Sequence, residues 1–109
     1  MGRVISPDGR FEWDRDKNIL NKENHGFYFE EILGVFDDPL FLEAYDRDNS
    51  TQNEVRWKGI ASYNQRIHFF VSYTELEGRI RIISARLAEP LERELYDENY
   101  QQQISGYER

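Results

Sequence analysis

Residues 67–86 read IHFFVSYTELEGRIRIISAR, and this stretch decides the fold of the chain. Large apolar side chains recur at every second position from Ile67 to Tyr73, which is the period of a strand with one buried face. The same period returns from Ile80 to Ser84, after the turn-type pair Glu77-Gly78. Because the connection is short, the two strands are predicted to form an antiparallel hairpin.

Further elements are predicted on both sides of this hairpin. The strands are Phe11–Trp13, Leu40–Tyr45 and Val55–Ile60. The helices are Arg15 to about Asn24, residues 27–36, and a third that starts at Pro90. Asp14 is the N-cap of the first helix and Gly26 its stop signal. The order indicates an α+β domain: an antiparallel sheet with two N-terminal helices and one C-terminal helix.

A chain of 109 residues suits a single domain, which we place at residues 11–101. Residues 1–10 are predicted to be a leader and residues 102–109 a frayed tail. The absence of cysteine excludes disulfides, thiolate catalysis and Cys-ligated zinc. No apolar run approaches the roughly 20 residues that cross a bilayer. We therefore expect a cytoplasmic protein with no membrane contact and no metal site.

Charge is distributed unevenly along the chain. The net charge of −7 argues against nonspecific coating of nucleic acid. Residues 54–86 nevertheless carry a net charge of +3. The segments before and after them, residues 1–53 and 87–109, carry −6 and −4. If this middle segment folds into one sheet, its arginines can form a local anion-binding face. The alternative is that these arginines pair with the acidic helices.

Anion-binding side chains are most concentrated in residues 79–86, RIRIISAR. In a regular strand, Arg79 and Arg81 point to one face while Ser84 and Arg86 point to the other, unless a bulge intervenes. Arginine suits phosphate because its guanidinium stays charged and offers a planar fork of donors. The alternative is that such arginines only keep an edge strand soluble.

Of the two histidines, His25 is the better candidate for proton transfer. It precedes Gly26 at a predicted helix end, where an imidazole can be exposed and can serve as general base or acid in phosphodiester transesterification. The alternative is a C-capping histidine that bonds to the last carbonyls. His68 lies on the opposite strand face from Ile67 and Phe69, and is predicted to be a packing or surface residue.

Other side chains suit RNA less specifically. Lys17 and Lys22 lie five residues apart on the first helix and do not share one face, although either can reach phosphate. Tyr73 and Trp57 are able to stack on bases. Their places in the apolar alternation favour core packing instead.

Read together, these segments resemble the BrnT family, the toxin half of a bacterial type II toxin–antitoxin pair. The resemblance is collinear from Phe11 to about Tyr96, and the most telling part is the Ile-Ser-Ala-Arg strand followed by Glu-Arg and Tyr. The residues that carry it are Phe11-Glu12-Trp13-Asp14, Lys17-Asn18, Asn21, His25-Gly26, Phe29-Glu30-Glu31, Val35-Phe36-Asp37-Asp38-Pro39, Glu54, Arg56, Gly59, Tyr73-Thr74, Arg81-Ile82-Ile83-Ser84-Ala85-Arg86, Glu92-Arg93 and Tyr96.

The resemblance implies a RelE-like fold and a metal-independent endoribonuclease that needs no cofactor and inhibits translation. It also implies a partner, a BrnA-like ribbon-helix-helix antitoxin, through which alone the chain would reach operator DNA. His25 would be the acid–base residue. Arg56, Arg81 and Arg86 would hold the phosphate as charge develops, and Tyr73 would stack or transfer a proton. Lys17, Lys22, Arg79 and Ser84 complete the expected RNA contacts.

Two positions depart from the family pattern. Asn24 and Leu87 stand where members of the family commonly carry lysine. The loss of two positive charges near the expected site leaves a second hypothesis open. Under it, the chain is a family member with weak or no nuclease activity that acts by binding a DNA-binding antitoxin.

Overall fold

The computed structural model describes residues 2–64 and 66–107. Within these ranges the strands are β1 (Arg3–Ile5), β2 (Phe11–Asp14), β3 (Leu42–Tyr45), β4 (Arg56–Tyr63), β5 (Ile67–Leu76) and β6 (Arg79–Leu87). The helices are α1 (Arg15–His25) and α2 (Pro90–Tyr107), and two 3₁₀ helices span Phe29–Glu31 and Leu33–Asp37. The predicted α+β class is confirmed.

The strands form one mixed sheet in the order β1-β2-β6-β5-β4-β3. The predicted hairpins β4–β5 and β5–β6 are antiparallel, but β2 lies parallel to β6. The expectation of a purely antiparallel sheet is therefore wrong. Short loops indicate only which sequential strands pair, whereas β2 and β6 are far apart in the chain and pair through tertiary packing.

The N-terminal segment predicted as a leader contributes β1, which pairs with β2. The polar residues between these strands form the connecting turn. Ser6 Oγ accepts from the Phe11 N–H at 3.0 Å, and Gly9 occupies the left-handed region at φ 76°. The turn residues were evident in the sequence. The three residues of β1 are too few to show a period.

The core lies on one face of the sheet, beneath α1 and the 3₁₀ helices. The predicted helix 27–36 is wrong, because this segment instead forms the two 3₁₀ helices. The buried residues of the segment explain why: Phe29, Ile32 and Val35 are 0%, 1% and 0% exposed and recur every three residues, which is the 3₁₀ repeat. They pack against strand residues such as Trp13, Val71 and Ile82.

Helix α1 has the predicted boundaries. Asp14 accepts a hydrogen bond from the Lys17 N–H at 3.0 Å, and Gly26 ends the helix at φ 86°. The buried face of α1 is polar. The Asn21 side chain donates to the carbonyls of Phe27 and Ala85, both at 2.9 Å, and accepts from the Ala85 N–H at 3.0 Å. These bonds fix α1 to β6.

Helix α2 lies on the other face of the sheet, where the Tyr96 hydroxyl donates to Asp38 at 2.6 Å. Residues 102–107, predicted as part of a tail, continue the helix, while residues 108 and 109 lie outside the described residues. In the described part of the chain, no helix combines the length and apolar character needed to span a membrane.

Candidate functional site on the arginine face

A β-bulge in β6 decides where its charged side chains point. Ser72 of β5 pairs with Ser84, while the next residue, Tyr73, pairs with Ile82, so Ile83 is an extra residue on β6. This bulge reverses the alternation after Ile82. Arg79 and Arg81 therefore share a face with Ser84 and Arg86, which a regular strand would have separated.

Strand pairing brings further basic residues onto this face, which is opposite the core. Thr74 pairs with Arg81 on one side and with Arg56 on the other. Two strand spacings, about 10 Å, therefore separate the backbones that carry these arginines. Ser72 links Ser84 to Lys58 in the same way. We call the surface formed by Arg56, Lys58, Arg79, Arg81 and Arg86 the arginine face.

Three arginines of this face are paired with carboxylates. Arg56 Nε lies 2.6 Å from Glu54 Oε1, and Arg81 Nη1 lies 2.6 Å from Glu12 Oε2. Arg86 donates to both oxygens of Glu92 in α2, at 2.8 and 2.9 Å. The alternative in which arginines pair with an acidic helix is thus confirmed for Arg86. Any phosphate on this face must compete with these carboxylates.

The arginine face includes a carboxylate that is fully shielded from solvent. Glu12 is 0% exposed and accepts hydrogen bonds from Arg3 as well as Arg81. Burial alone would raise the pKa of Glu12, but the hydrogen bonds and charges of the two arginines outweigh it and hold the pKa below its usual value. Glu12 therefore stays ionised and fixes the Arg81 guanidinium.

The Arg86–Glu92 pair links the face to α2. The hydrogen bond to Glu92 raises the pKa of Arg86, and the same bond lowers the pKa of Glu92. Glu92 Oε1 also accepts from the Glu89 N–H at 2.8 Å, in the first turn of the helix. Arg86 Cζ lies 4.3 Å from the centre of the Phe70 ring, so the guanidinium rests on an aromatic surface.

A depression of about 470 Å³ adjoins the Arg56 end of the face. Glu54, Trp57, Thr74 and Arg81 are among the residues that line it. The Thr74 hydroxyl donates to the Val55 carbonyl at 2.5 Å, so it anchors the preceding loop to β5. Described residues include no group of three or more His, Cys, Asp or Glu side chains placed to hold a metal ion.

The structure does not bring His25 to the arginine face. His25 is the exposed last residue of α1, in the layer that covers the opposite face of the sheet. Its side chain makes no hydrogen bond among the described residues. Lys22 Nζ instead donates to the Gly26 carbonyl at 3.1 Å. Lys17 is exposed on the same helix, so both predicted lysines also lie in this layer.

Tyr73 also points away from the arginine face. It is 3% exposed within the core, where its ring packs edge-on against Phe36 and Phe41. Its hydroxyl donates to Glu43, and burial, followed by this bond, raises the pKa of Tyr73. The structure therefore separates Tyr73 from the arginines with which it was grouped.

Two residues on this face, Lys58 and Glu12, were not identified as candidates from the sequence. Lys58 follows Arg56 at the strand period, a signal that would have placed both on one face. Glu12 lies between Phe11 and Trp13, and because neighbouring residues of a strand point to opposite faces, its side chain points away from the core. Its contact with Arg81, which is 69 residues away in the chain, cannot be predicted from the local sequence.

The family model described as ribonuclease toxin, BrnT, of type II toxin–antitoxin system matches residues 13–92. Among solved structures, the crystal structure of the Brucella abortus ribonuclease toxin BrnT is similar in fold, with a TM-score of 0.53 and 23% sequence identity. The match covers 71% of this chain and 92% of that chain. A comparison with curated proteins gives no match. Since the family model spans well over half of the sequence, the chain belongs to the BrnT family of ribonuclease toxins of type II toxin–antitoxin systems.

Proposed function

We propose that this chain is an endoribonuclease that cleaves RNA in the cytoplasm without a metal ion and thereby inhibits translation. The observation that carries the proposal is the bulge in β6, which gathers Arg81 and Arg86 on the same face as Arg56. Guanidinium groups on one face of the sheet suit the phosphates of an RNA chain, because each can donate two parallel hydrogen bonds to phosphate oxygens. Membership in a ribonuclease toxin family supports this chemistry.

The reaction that suits this face is transesterification. The ribose 2′-oxygen attacks phosphorus, the bond to the 5′-oxygen breaks, and the products are a 2′,3′-cyclic phosphate and a 5′-hydroxyl. The arginines bind the phosphate and offset the negative charge that grows on its oxygens. A general base takes the 2′-proton and a general acid supplies one to the 5′-oxygen. Arg79 and Ser84 extend the surface that contacts RNA, and Lys17 and Lys22 lie in the other layer.

The proposal is tested by incubating the purified chain with a long RNA in excess EDTA and resolving the products by size. Discrete cleavage products are expected. Intact RNA with folded protein would contradict a ribosome-independent nuclease, and cleavage is then measured in a translation reaction that contains the magnesium ribosomes require. Intact RNA there as well would reject the nuclease proposal.

The same assay tests the role in proton transfer that the resemblance gives to His25. A His25→Ala variant that no longer cleaves would support that role. Cleavage that survives the substitution would remove His25 from the mechanism without affecting the case for the arginines. Tyr73 is tested separately by Tyr73→Phe, which removes the hydroxyl and keeps the ring in the core.

The Glu92→Gln variant is expected to bind RNA more tightly than the unmodified chain. A neutral amide competes less well with phosphate for Arg86, yet its oxygen can still accept from the Glu89 N–H. We expect the dissociation constant to fall about threefold to tenfold, equivalent to about 0.7–1.4 kcal/mol. Fluorescence anisotropy with a labelled 2′-O-methyl RNA measures the change. Glu23→Gln on α1 removes the same charge elsewhere, and an equal gain there would show only a long-range charge effect.

A second candidate function is a noncatalytic partner of a DNA-binding antitoxin of the BrnA-like ribbon-helix-helix type. The observation that favours it is the pairing of Arg56, Arg81 and Arg86 with the chain's own carboxylates. The presence of Asn24 and Leu87 at positions where members of the family commonly carry lysine favours it as well. Under this function the chain would bind its antitoxin and tune operator binding. Unaltered RNA in every assay together with tight antitoxin binding by calorimetry would select it over the nuclease.

A further inference from the structure

The second histidine, His68, lies on the arginine face. In the pairing of β4 with β5, His68 is opposite Ser62. It is two residues from Phe70, which is opposite Arg86 on β6, so all three side chains point to the same side of the sheet. A diagonal pair of this kind has Cα atoms about 7–8 Å apart. The side chains of Arg86 and His68 therefore lie on the same face of the sheet, as diagonal neighbours on β6 and β5.

Packing orients the imidazole while leaving its nitrogens available. The ring meets Tyr96 of α2 edge-on, with centroids 4.9 Å apart. His68 Nε2 is 3.9 Å from Asp97 Oδ1, which is too far for a hydrogen bond. The side chain is 19% exposed, and neither ring nitrogen has a hydrogen bond among the described residues.

Open space borders His68 on two sides. A groove of about 870 Å³ between the start of β5 and α2 is lined by His68 together with Arg66, Arg93 and three carboxylates. The carboxylates are Glu94, Asp97 and Glu98. A second depression of about 420 Å³ is lined by Ser62, His68, Tyr96 and other residues. Spaces of these sizes accommodate a nucleotide, and Arg66 and Arg93 suit the phosphates that flank the cleaved bond.

We propose that His68 is an acid–base residue for the phosphodiester held by the arginine face, a role that rests on the proposed nuclease function. Neutral His68 takes the proton of the ribose 2′-hydroxyl as the 2′-oxygen bonds to phosphorus and the 5′-oxygen leaves. The resulting imidazolium returns that proton to the departing oxygen. Protons and charge thus balance without a further reactant. The sequence pattern indicated only a packing or surface role for His68.

The test measures single-turnover cleavage of a long RNA in excess EDTA by full-length variants. His68→Phe keeps an aromatic ring against Tyr96 but cannot carry a proton, and His68→Ala leaves room for a small molecule. Both are expected to cleave at least about 100-fold more slowly. Added imidazole should raise the cleavage rate of His68→Ala about tenfold or more and leave the rate of His68→Phe unchanged. Leu91→Ala, at an exposed position of α2, should cleave like the unmodified chain.

Cleavage by His68→Phe and His68→Ala at the unmodified rate would overturn the role of His68 and leave the nuclease function intact. A loss in folded His68→Ala that imidazole does not restore would also overturn it, because the residue would then act only through packing. An unmodified chain that leaves RNA intact with and without ribosomes would instead reject the nuclease function itself.

Discussion

Replacing Arg86 by alanine is expected to lower the rate of RNA cleavage at least about 100-fold, the usual loss when a group that stabilises transition-state charge is removed. Arg86→Lys should recover only part of the rate, since lysine keeps the charge but lacks the fork that contacts two phosphate oxygens. Single-turnover kinetics in EDTA measure both variants. Circular dichroism and thermal melting establish that the fold is kept, as expected for a half-buried side chain whose partner Glu92 is near the surface.

The matched control is Arg10→Ala. Arg10 is paired with Asp37 and lies against the Phe11 ring, so it belongs to the core side of the sheet and not to the arginine face. Its removal changes the net charge by the same amount. Equal losses for Arg86→Ala and Arg10→Ala would mean that cleavage depends on overall charge, and the assignment of the phosphate site to this face would be rejected.

Asn21→Ala is expected to lower the free energy of unfolding by about 2–4 kcal/mol, because it strips hydrogen bonds from buried backbone groups. The side chain of Asn21 is the partner of the Ala85 N–H, the Ala85 carbonyl and the Phe27 carbonyl. Alanine can satisfy none of them, and water has little access since Asn21 is 5% exposed. Urea unfolding followed by tryptophan fluorescence gives the change.

Asn24 provides the comparison within the same helix. It is exposed, so Asn24→Ala should change the unfolding free energy by no more than about 0.5 kcal/mol. If Asn21→Ala were equally mild, the bonds between α1 and β6 would contribute little to stability.

Local patterns predicted the elements whose signals lie within a few residues. Strands β4 to β6 follow from alternation, and α1 follows from Asp14 and Gly26 at its ends. The 3₁₀ segment was mistaken for an α-helix because Phe29 and Ile32 fit both repeats, and only the burial of Val35 distinguishes them. The parallel pairing of β2 with β6 depends on contacts between distant residues, which no local pattern reports.

The candidate site was predicted by residue type more than by arrangement. The arginines were found because phosphate chemistry favours them in a basic segment. Their common face depends on the bulge at Ile83, and an extra residue in a strand has no signature in an alternating sequence. His25 and Tyr73 were grouped with the arginines by resemblance, whereas the sheet separates both from Arg86.

The parallel pairing of β2 with β6 also bears on when the protein acquires its charge surface during synthesis. Glu12 meets Arg81 only after most of the chain has been made, since 69 positions separate them. Contacts at such separation are slow to form and follow the local hairpins. A nascent chain that ends before β6 lacks both Arg81 and Arg86, and so has no assembled arginine face. The arginine face therefore forms only after β6 has been synthesised.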